Sequence, residues 1–153
     1  MAEIIDKIDL KILRILQSDS SRSLESISNE VGVSLNTCWR RISRLEKNSI
    51  IEGRVALIDN EKVGLPLTVF VSISTDDHSQ EWTKKLNNAV ISIKEIVEFY
   101  RLAGETDYFL KMMVKNVDHY DRVYKQLIKL VKISDVSASF AMEKIKFTTN
   151  LPI

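Results

Sequence analysis

Apolar residues near the start of the chain recur every three or four positions, which is the spacing of one face of a helix. The residues that form this pattern are Ile5, Ile8, Ile12, Ile15 and Leu16. The pattern predicts an amphipathic helix over residues 6–18, and Asp6 is of a residue type that favours an N-cap. The polar run at residues 18–21 would end this helix.

Two further helices are predicted, with a short turn between them. Residues 24–31 form a second apolar helical pattern with Ser23 as its cap, and Gly32 is a residue that readily ends a helix. Ser34 then caps a third helix that runs to about Asn48. A helix, a glycine-containing turn and another helix predict a helix-turn-helix unit.

Beyond residue 53 the hydrophobic period changes to the alternation of strands. The predicted strands are residues 54–58, 67–74, 96–103, 108–114 and 136–147. Helices are predicted at residues 79–92 and after Asp118, which we expect to be an N-cap. From residue 67 onward the order is β-α-β-β-α-β, the ferredoxin-like arrangement. Its helices cover one face of the sheet, and the other face is left for a partner.

The predicted fold class is therefore α+β, with an N-terminal winged-type helix-turn-helix domain and a C-terminal ferredoxin-like βαββαβ domain. The predicted boundaries are residues 1–53 for the first domain, 54–66 for a strand and hinge, and 67–153 for the second domain. Of the 153 residues, 44% are hydrophobic and 28% charged, as in a soluble globular protein. A single cysteine and the lack of a signal pattern or long apolar run predict a cytoplasmic protein with no membrane partner.

The third helix separates into an apolar and a polar face when it is projected at 100° per residue. The predicted apolar stripe is Leu35, Cys38, Ile42 and Leu45. The opposite face is polar and partly basic, although the whole chain has a net charge of only +1. Because Arg and Asn pair with guanine and adenine edges, this face predicts contact with double-stranded DNA. A solvated face of an ordinary three-helix bundle is the alternative.

The residues expected to contact DNA are Ser34, Asn36, Thr37, Arg40, Arg41, Arg44 and Lys47. Trp39 lies between the two faces of the helix, where it would touch the DNA backbone or pack against the second helix. Cys38 is interpreted as a small core residue.

A short turn at residues 103–108 joins two predicted strands. Gly104 would let a ligand approach the backbone, turn N–H groups suit a carboxylate, and Asp107 suits an ammonium group. A free α-amino acid carries both of these groups, although a plain connection between strands explains the same residues. His78 and His119 lie far apart without a cysteine nearby, so we expect no metal site. The sequence has no G-x-S-x-G motif, no phosphate-binding glycine loop and no close acid pair, so we expect no catalytic site and no cofactor.

Residues 8–13, 31–34 and 37–46, followed by residues 104–111, occur in the order and spacing of a known family. They resemble the Lrp/AsnC family of leucine-responsive, feast/famine transcription regulators over essentially the whole chain. Residues 78–82 and 139–153 are similar to the branch that contains the regulator of cysteine detoxification, whose members are also labelled glutamate-uptake regulators. In one departure, Asn36 stands where many members have proline.

The resemblance implies a DNA-binding regulator that forms dimers, which often assemble further to tetramers or octamers. It also implies a small amino-acid effector, such as cysteine, glutamate or a leucine-like residue, bound by one subunit's turn and another subunit's last strand. The ligand residues implied by matching position are Ala103, Gly104, Thr106, Asp107, Ser137 and Ser139. Arg101, on the preceding strand, would favour an acidic or small polar ligand. An amino-acid-sensing module that acts by protein contact, without DNA binding, is the alternative.

Overall fold

The computed structural model describes residues 5–153, which divide into two compact units. The first unit contains the described residues up to Leu57 together with Lys146–Ile153, and the second contains Ile58–Ile145. The helices are α1 (Lys7–Ser18), α2 (Leu24–Val31), α3 (Leu35–Lys47), α4 (Gln80–Ser92) and α5 (Val117–Leu130). The strands are β1 (Leu67–Ser74), β2 (Ile96–Arg101), β3 (Tyr108–Val114) and β4 (Asp135–Phe140). None of the helices in residues 5–153 is long and apolar enough to cross a membrane.

The three helices of the first unit begin at their predicted caps. The Asp6 side chain accepts the backbone N–H groups of Ile8 and Asp9, and the Asp9 carboxylate accepts the N–H of Asp6 in return. Ser23 and Ser34 cap α2 and α3. Each cap satisfies N–H groups that have no partner inside the helix, which is why these polar residues decide where the helices start.

A single apolar core holds α1, α2 and α3 together. Its buried members are Ile12, Leu16, Ile27, Val31, Cys38, Ile42 and Leu45. Gly32 turns the chain between α2 and α3 with a φ of 76°, in the left-handed region that glycine enters without strain. The predicted helix-turn-helix is therefore confirmed.

The second unit is a four-stranded antiparallel sheet in the order β2-β3-β1-β4, which confirms the ferredoxin-like arrangement. Alternation along β1 buries Val69, Val71 and Ile73 in the core that α4 and α5 complete. Phe70 and Phe109 point to the other face, where their rings stack with centroids 5.7 Å apart.

Three predicted strands differ from the structure because strands depend on neighbours. The smallest difference is in β2, which ends at Arg101 instead of residue 103. Residues 54–58 form no strand, since no segment of the described chain pairs with them. The last strand ends at Phe140 instead of residue 147. The Ala141 N–H bonds to the carbonyl of Thr68 at 3.0 Å, close to the residue where β1 begins, so the ladder has no partner to continue on.

The N-cap of α5 is Asn116, so the prediction of Asp118 is wrong. The Asn116 side chain accepts the His119 N–H at 2.9 Å. Asp118 lies in the first turn, where a negative charge also favours the helix. Because Asn and Asp are nearly equal as caps, the local pattern does not distinguish them.

Residues 146–153 belong to the first unit, although they were predicted to be part of the second domain. The Gln17 side chain of α1 donates to the Leu151 carbonyl at 3.0 Å and accepts the Leu151 N–H at 2.9 Å. Arg14 donates to the carbonyl of Ile153. Leu151 and Ile153 also line a cavity of about 500 Å³ beside α1. This tail carries no periodic pattern, so only tertiary packing reveals where it belongs.

Candidate nucleic-acid interface and effector turn

Ser34 fixes the start of α3. Its hydroxyl accepts the backbone N–H of Thr37 at 3.2 Å and donates to the Thr37 hydroxyl at 2.8 Å. Asn36 is exposed in the same turn. These three predicted residues therefore lie together at a helix N-terminus, where free N–H groups and the helix dipole favour phosphate.

The residues on the buried side of α3 confirm most of the apolar stripe that the sequence predicts. Cys38, Ile42 and Leu45 are buried, and burial raises the pKa of the Cys38 thiol. Leu35 is 51% exposed, so its predicted place in the apolar stripe is wrong; as the first residue of α3 it lies outside the packed cluster. Trp39, one turn later, is 56% exposed and is mostly open to solvent.

The outward side of α3 offers positive charge at Arg40 and Lys47. Both side chains are exposed, and neither forms an ion pair with another described residue. Glu46, the acid nearest in sequence, is paired with Arg54 at 2.9 Å and does not neutralise this side. Arg40 and Lys47 are therefore available to an approaching polyanion.

Arg41 and Arg44 lie on another flank of α3, and their charges are engaged within the protein. Arg41 Nη1 is 2.6 Å from Asp6 Oδ2 and 2.8 Å from Asp9 Oδ1, and Arg44 Nη2 is 2.6 Å from Asp9 Oδ2. Hydrogen bonds to Asp9 and Asp6 raise the pKa of Arg41. The Asp9 backbone N–H, followed by Arg41, lowers the pKa of Asp6 to about 2. We call these four residues the α1–α3 ion cluster.

Asp9 is the residue that the sequence analysis missed. Its side chain is completely buried, which is rare for a carboxylate unless it is paired. The spacing in α1 could have revealed the burial of Asp9, because Asp9 shares a helix face with the buried Ile12 and Leu16, where an apolar residue is expected. A charge on a buried face predicts a counter-ion on the facing element, and α3 supplies two.

The turn between β2 and β3 is fastened to the end of β1. The Asp107 carboxylate accepts the Thr75 N–H at 2.8 Å, and the Asp107 N–H donates to the Ile73 carbonyl at 3.1 Å. The Asp107 carbonyl accepts the Leu102 N–H at 2.8 Å. Gly104 has a φ of 154°, which L side chains rarely adopt. Asp107 therefore holds the shape of the turn whether or not it also contacts a ligand.

The remaining predicted effector residues are accessible at or near this turn and on β4. Ala103 and Gly104 are exposed and Thr106 is half-buried. Ser137 and Ser139 are both exposed, and the residues that alternate with them pack against the core. The two serines therefore share the sheet face opposite the helices.

Arg101 lies on the other side of the sheet. It pairs in register with Tyr108, whose side chain is buried in the core, so both belong to the face covered by the helices. There Arg101 lines a shallow depression of about 250 Å³ with His78 and Lys84. Within one chain the structure does not bring Arg101 together with Ser137 or Ser139.

Histidine and acidic side chains provide no metal site in the described part of the chain, since residues 5–153 contain no group of three or more potential ligands. His119 lies near the start of α5, with Nε2 3.3 Å from Glu95 Oε1.

Two family models match the chain in the order of its two units. Residues 5–46 match the AsnC-type helix-turn-helix domain, and residues 68–151 match the Lrp/AsnC ligand binding domain. The second match alone covers more than half of the chain.

Individual relatives match over nearly the full length. The glutamate uptake regulatory protein of Zymomonas mobilis is 46% identical over 149 residues, which are 97% of this chain and 91% of the relative. The DNA-binding transcriptional activator DecR of Escherichia coli is 46% identical over 150 residues, which are 97% and 99% of the two chains. A transcriptional regulator of Neisseria meningitidis, solved with L-Met, has a TM-score of 0.92 and 30% identity, with 97% of each chain covered.

Proposed function

Because the chain belongs to the Lrp/AsnC family of DNA-binding transcription regulators, we propose that α3 is the element that reads double-stranded DNA. The observation that carries the proposal is the outward side of α3, where Arg40 and Lys47 are exposed opposite the buried Cys38, Ile42 and Leu45. Arg40 is expected to reach a base edge, and Lys47 a phosphate. Asn36, exposed in the first turn of α3, adds a side chain that can pair with adenine.

The same proposal gives the start of α3 a second role. Ser34 and Thr37 lie at its N-terminus, where they and the neighbouring N–H groups would bind a phosphate and set the register of the helix on the duplex. Arg41 and Arg44 were predicted to contact DNA, but both are engaged by Asp9. We therefore assign them to the support of α3 instead of the readout of bases.

We further propose that the second unit binds a small free α-amino acid at the turn 103–107. Backbone N–H groups near Gly104 would donate hydrogen bonds to the carboxylate of the amino acid. The Asp107 carboxylate would accept hydrogen bonds from its ammonium group. The Neisseria meningitidis relative solved with L-Met supports an amino acid as the ligand class. Cysteine, glutamate and a leucine-like residue are the candidates. Ser137 and Ser139 of another protomer would complete the site.

In this proposal the protein is a homo-oligomer in the cytoplasm, where it has access to chromosomal DNA. It catalyses no reaction. A dimer would place two copies of α3 about one turn of DNA apart, or a multiple of that distance, on a pseudo-palindromic site. The effector would act by shifting the balance among assembly states or half-site spacings.

The effector proposal is tested by measuring the thermal unfolding of the native protein with each of the twenty amino acids. A ligand at 100 times its Kd adds about 2.7 kcal/mol to the stability of the protein, which is readily detected. Asp107→Ala should remove the response, whereas Glu105→Gln, which changes another acid of the same turn, should keep it. Failure of every amino acid to stabilise the wild type would overturn the sensing role and leave the DNA-binding role intact.

A further inference from the structure

Asp9 places a buried negative charge in the DNA-binding unit, and its counter-ions lie on α3. The side chain is completely buried, and its two oxygens contact different guanidinium groups, those of Arg41 and Arg44. A buried ion pair adds little to stability compared with well-packed apolar residues. Its best-established use is to specify one arrangement of the elements that it joins.

The geometry of the α1–α3 ion cluster fixes how α3 is rotated against α1. Arg41 and Arg44 are three residues apart, so they lie on one side of α3, and a single carboxylate holds both of them. Arg41 also contacts Asp6 at 2.6 Å. Two points of attachment on one helix face restrict rotation about the helix axis, and this rotation decides which side chains face the DNA.

A phosphate would have to compete with the buried Asp9 for these two arginines, whose side chains are 22% and 42% exposed. Removing the partners of a buried charge is strongly destabilising, whereas a phosphate contact at the protein surface is weakened by salt. Arg41 and Arg44 should therefore stay on Asp9 when the protein binds DNA.

We propose that Asp9 is a positioning residue for DNA recognition. It holds α3 through Arg41 and Arg44 so that Arg40 and Lys47 face the duplex, and it keeps two arginines from binding phosphates without regard to sequence. This inference rests on the reading role proposed for α3.

The test is Asp9→Asn, which keeps the shape of the side chain and removes its charge. We would measure fluorescence anisotropy with two labelled duplexes, one from the region upstream of the protein's own gene and one with the same bases shuffled, at several salt concentrations. Affinity for the upstream duplex should fall about tenfold or more. Affinity for the shuffled duplex should rise, with a salt slope steeper by about 1 to 2, because each newly bound phosphate contributes roughly 0.9.

A merely structural role for Asp9 gives a different result. It would lower the thermal midpoint of the variant, but below that midpoint both the salt slope and the affinity ratio of the two duplexes would match the wild type. Asp19→Asn, at the exposed C-cap of α1, is the matched control because it removes the same charge from the same helix. It should leave both the ratio and the slope unchanged.

If Asp9→Asn does not fold, Arg41→Lys keeps the charge but not the guanidinium that contacts both Asp6 and Asp9. It should lower the affinity ratio several-fold. A folded variant of either kind with the wild-type ratio and salt slope overturns the inference. A wild type that does not prefer the upstream duplex would instead contradict the proposed reading role of α3.

Discussion

At the scale of single residues, α3 has more positive charge in its sequence than it presents to solvent. Arg41 and Arg44 are paired with the carboxylates of α1, whereas Arg40 and Lys47 form no ion pair with another described residue. A helical projection separates polar from apolar residues, but it does not reveal which cations are paired with another element. Burial of Cys38, Ile42 and Leu45 was predictable because it follows from spacing within one helix.

Ile42 and Leu35 provide a direct test of the packing of α3. Ile42 is 6% exposed, so Ile42→Ala should lower the free energy of unfolding by about 2–5 kcal/mol. Leu35→Ala, a truncation on the same helix at an exposed position, should change it by less than about 0.5 kcal/mol. Chemical denaturation of both variants measures the difference. Equal effects would show that the phase of α3, and with it the DNA-facing side, is incorrect.

At the scale of elements, local signals were enough to predict where α1, α2 and α3 begin, but not where α5 begins. The caps Asp6, Ser23 and Ser34 set the helix starts, because a side chain satisfies N–H groups only two or three residues away. Strand ends depend instead on a distant partner. Residues 54–58 have the alternation of a strand, yet they form none without a neighbour, and β4 stops near the residue where β1 begins.

The turn between β2 and β3 also combines features that are local with features that depend on distant residues. The sequence indicated that Gly104 and Asp107 occupy a turn, but the hydrogen bond from Thr75 to Asp107 joins residues 32 positions apart. The position of Arg101 on the helix-covered face follows from the register with β3, which the sequence does not specify.

The capping box of α1 predicts a particular pH dependence of stability. The pKa of Asp6 is lowered from its ordinary value of 3.8 to about 2 in the folded protein. The stabilisation by ionised Asp6 is therefore fully present above about pH 4 and is lost as the pH falls toward about 2. The difference in thermal midpoint between wild type and Asp6→Asn should shrink over this range. A difference that stays constant with pH would contradict the role of Asp6.

At the scale of the whole molecule, the chain leaves the helical unit and returns to it. Residues 146–153 follow the effector unit in sequence but bond to Gln17 and Arg14 of α1. The second unit has helices on one sheet face and stacked Phe70 and Phe109 rings on the other. A sheet with one face free of helices is suited to pairing with another copy.

Assembly can be tested through that face. The wild type should be a dimer or larger by light scattering at micromolar concentration. Phe70→Lys should reduce its mass because it puts a new charge on the sheet face that we expect to pair. Ile128→Lys, the same kind of change at an exposed position of α5, should leave the mass unchanged. A monomeric wild type, or equal effects of the two variants, would contradict assembly through this face.

Reading of DNA by α3 under the control of an amino acid is the core of the proposed function. Its most direct test is an anisotropy titration of a labelled upstream duplex against its shuffled counterpart, with and without the amino acid found by thermal unfolding. We expect a preference of about a thousandfold or more for the upstream duplex, a change in affinity when the amino acid is added, and a loss of about 1–3 kcal/mol of binding in Arg40→Ala. Equal binding of both duplexes by the wild type would contradict the proposed reading of DNA by α3. Wild-type affinity of folded Arg40→Ala for the upstream duplex would contradict it as well.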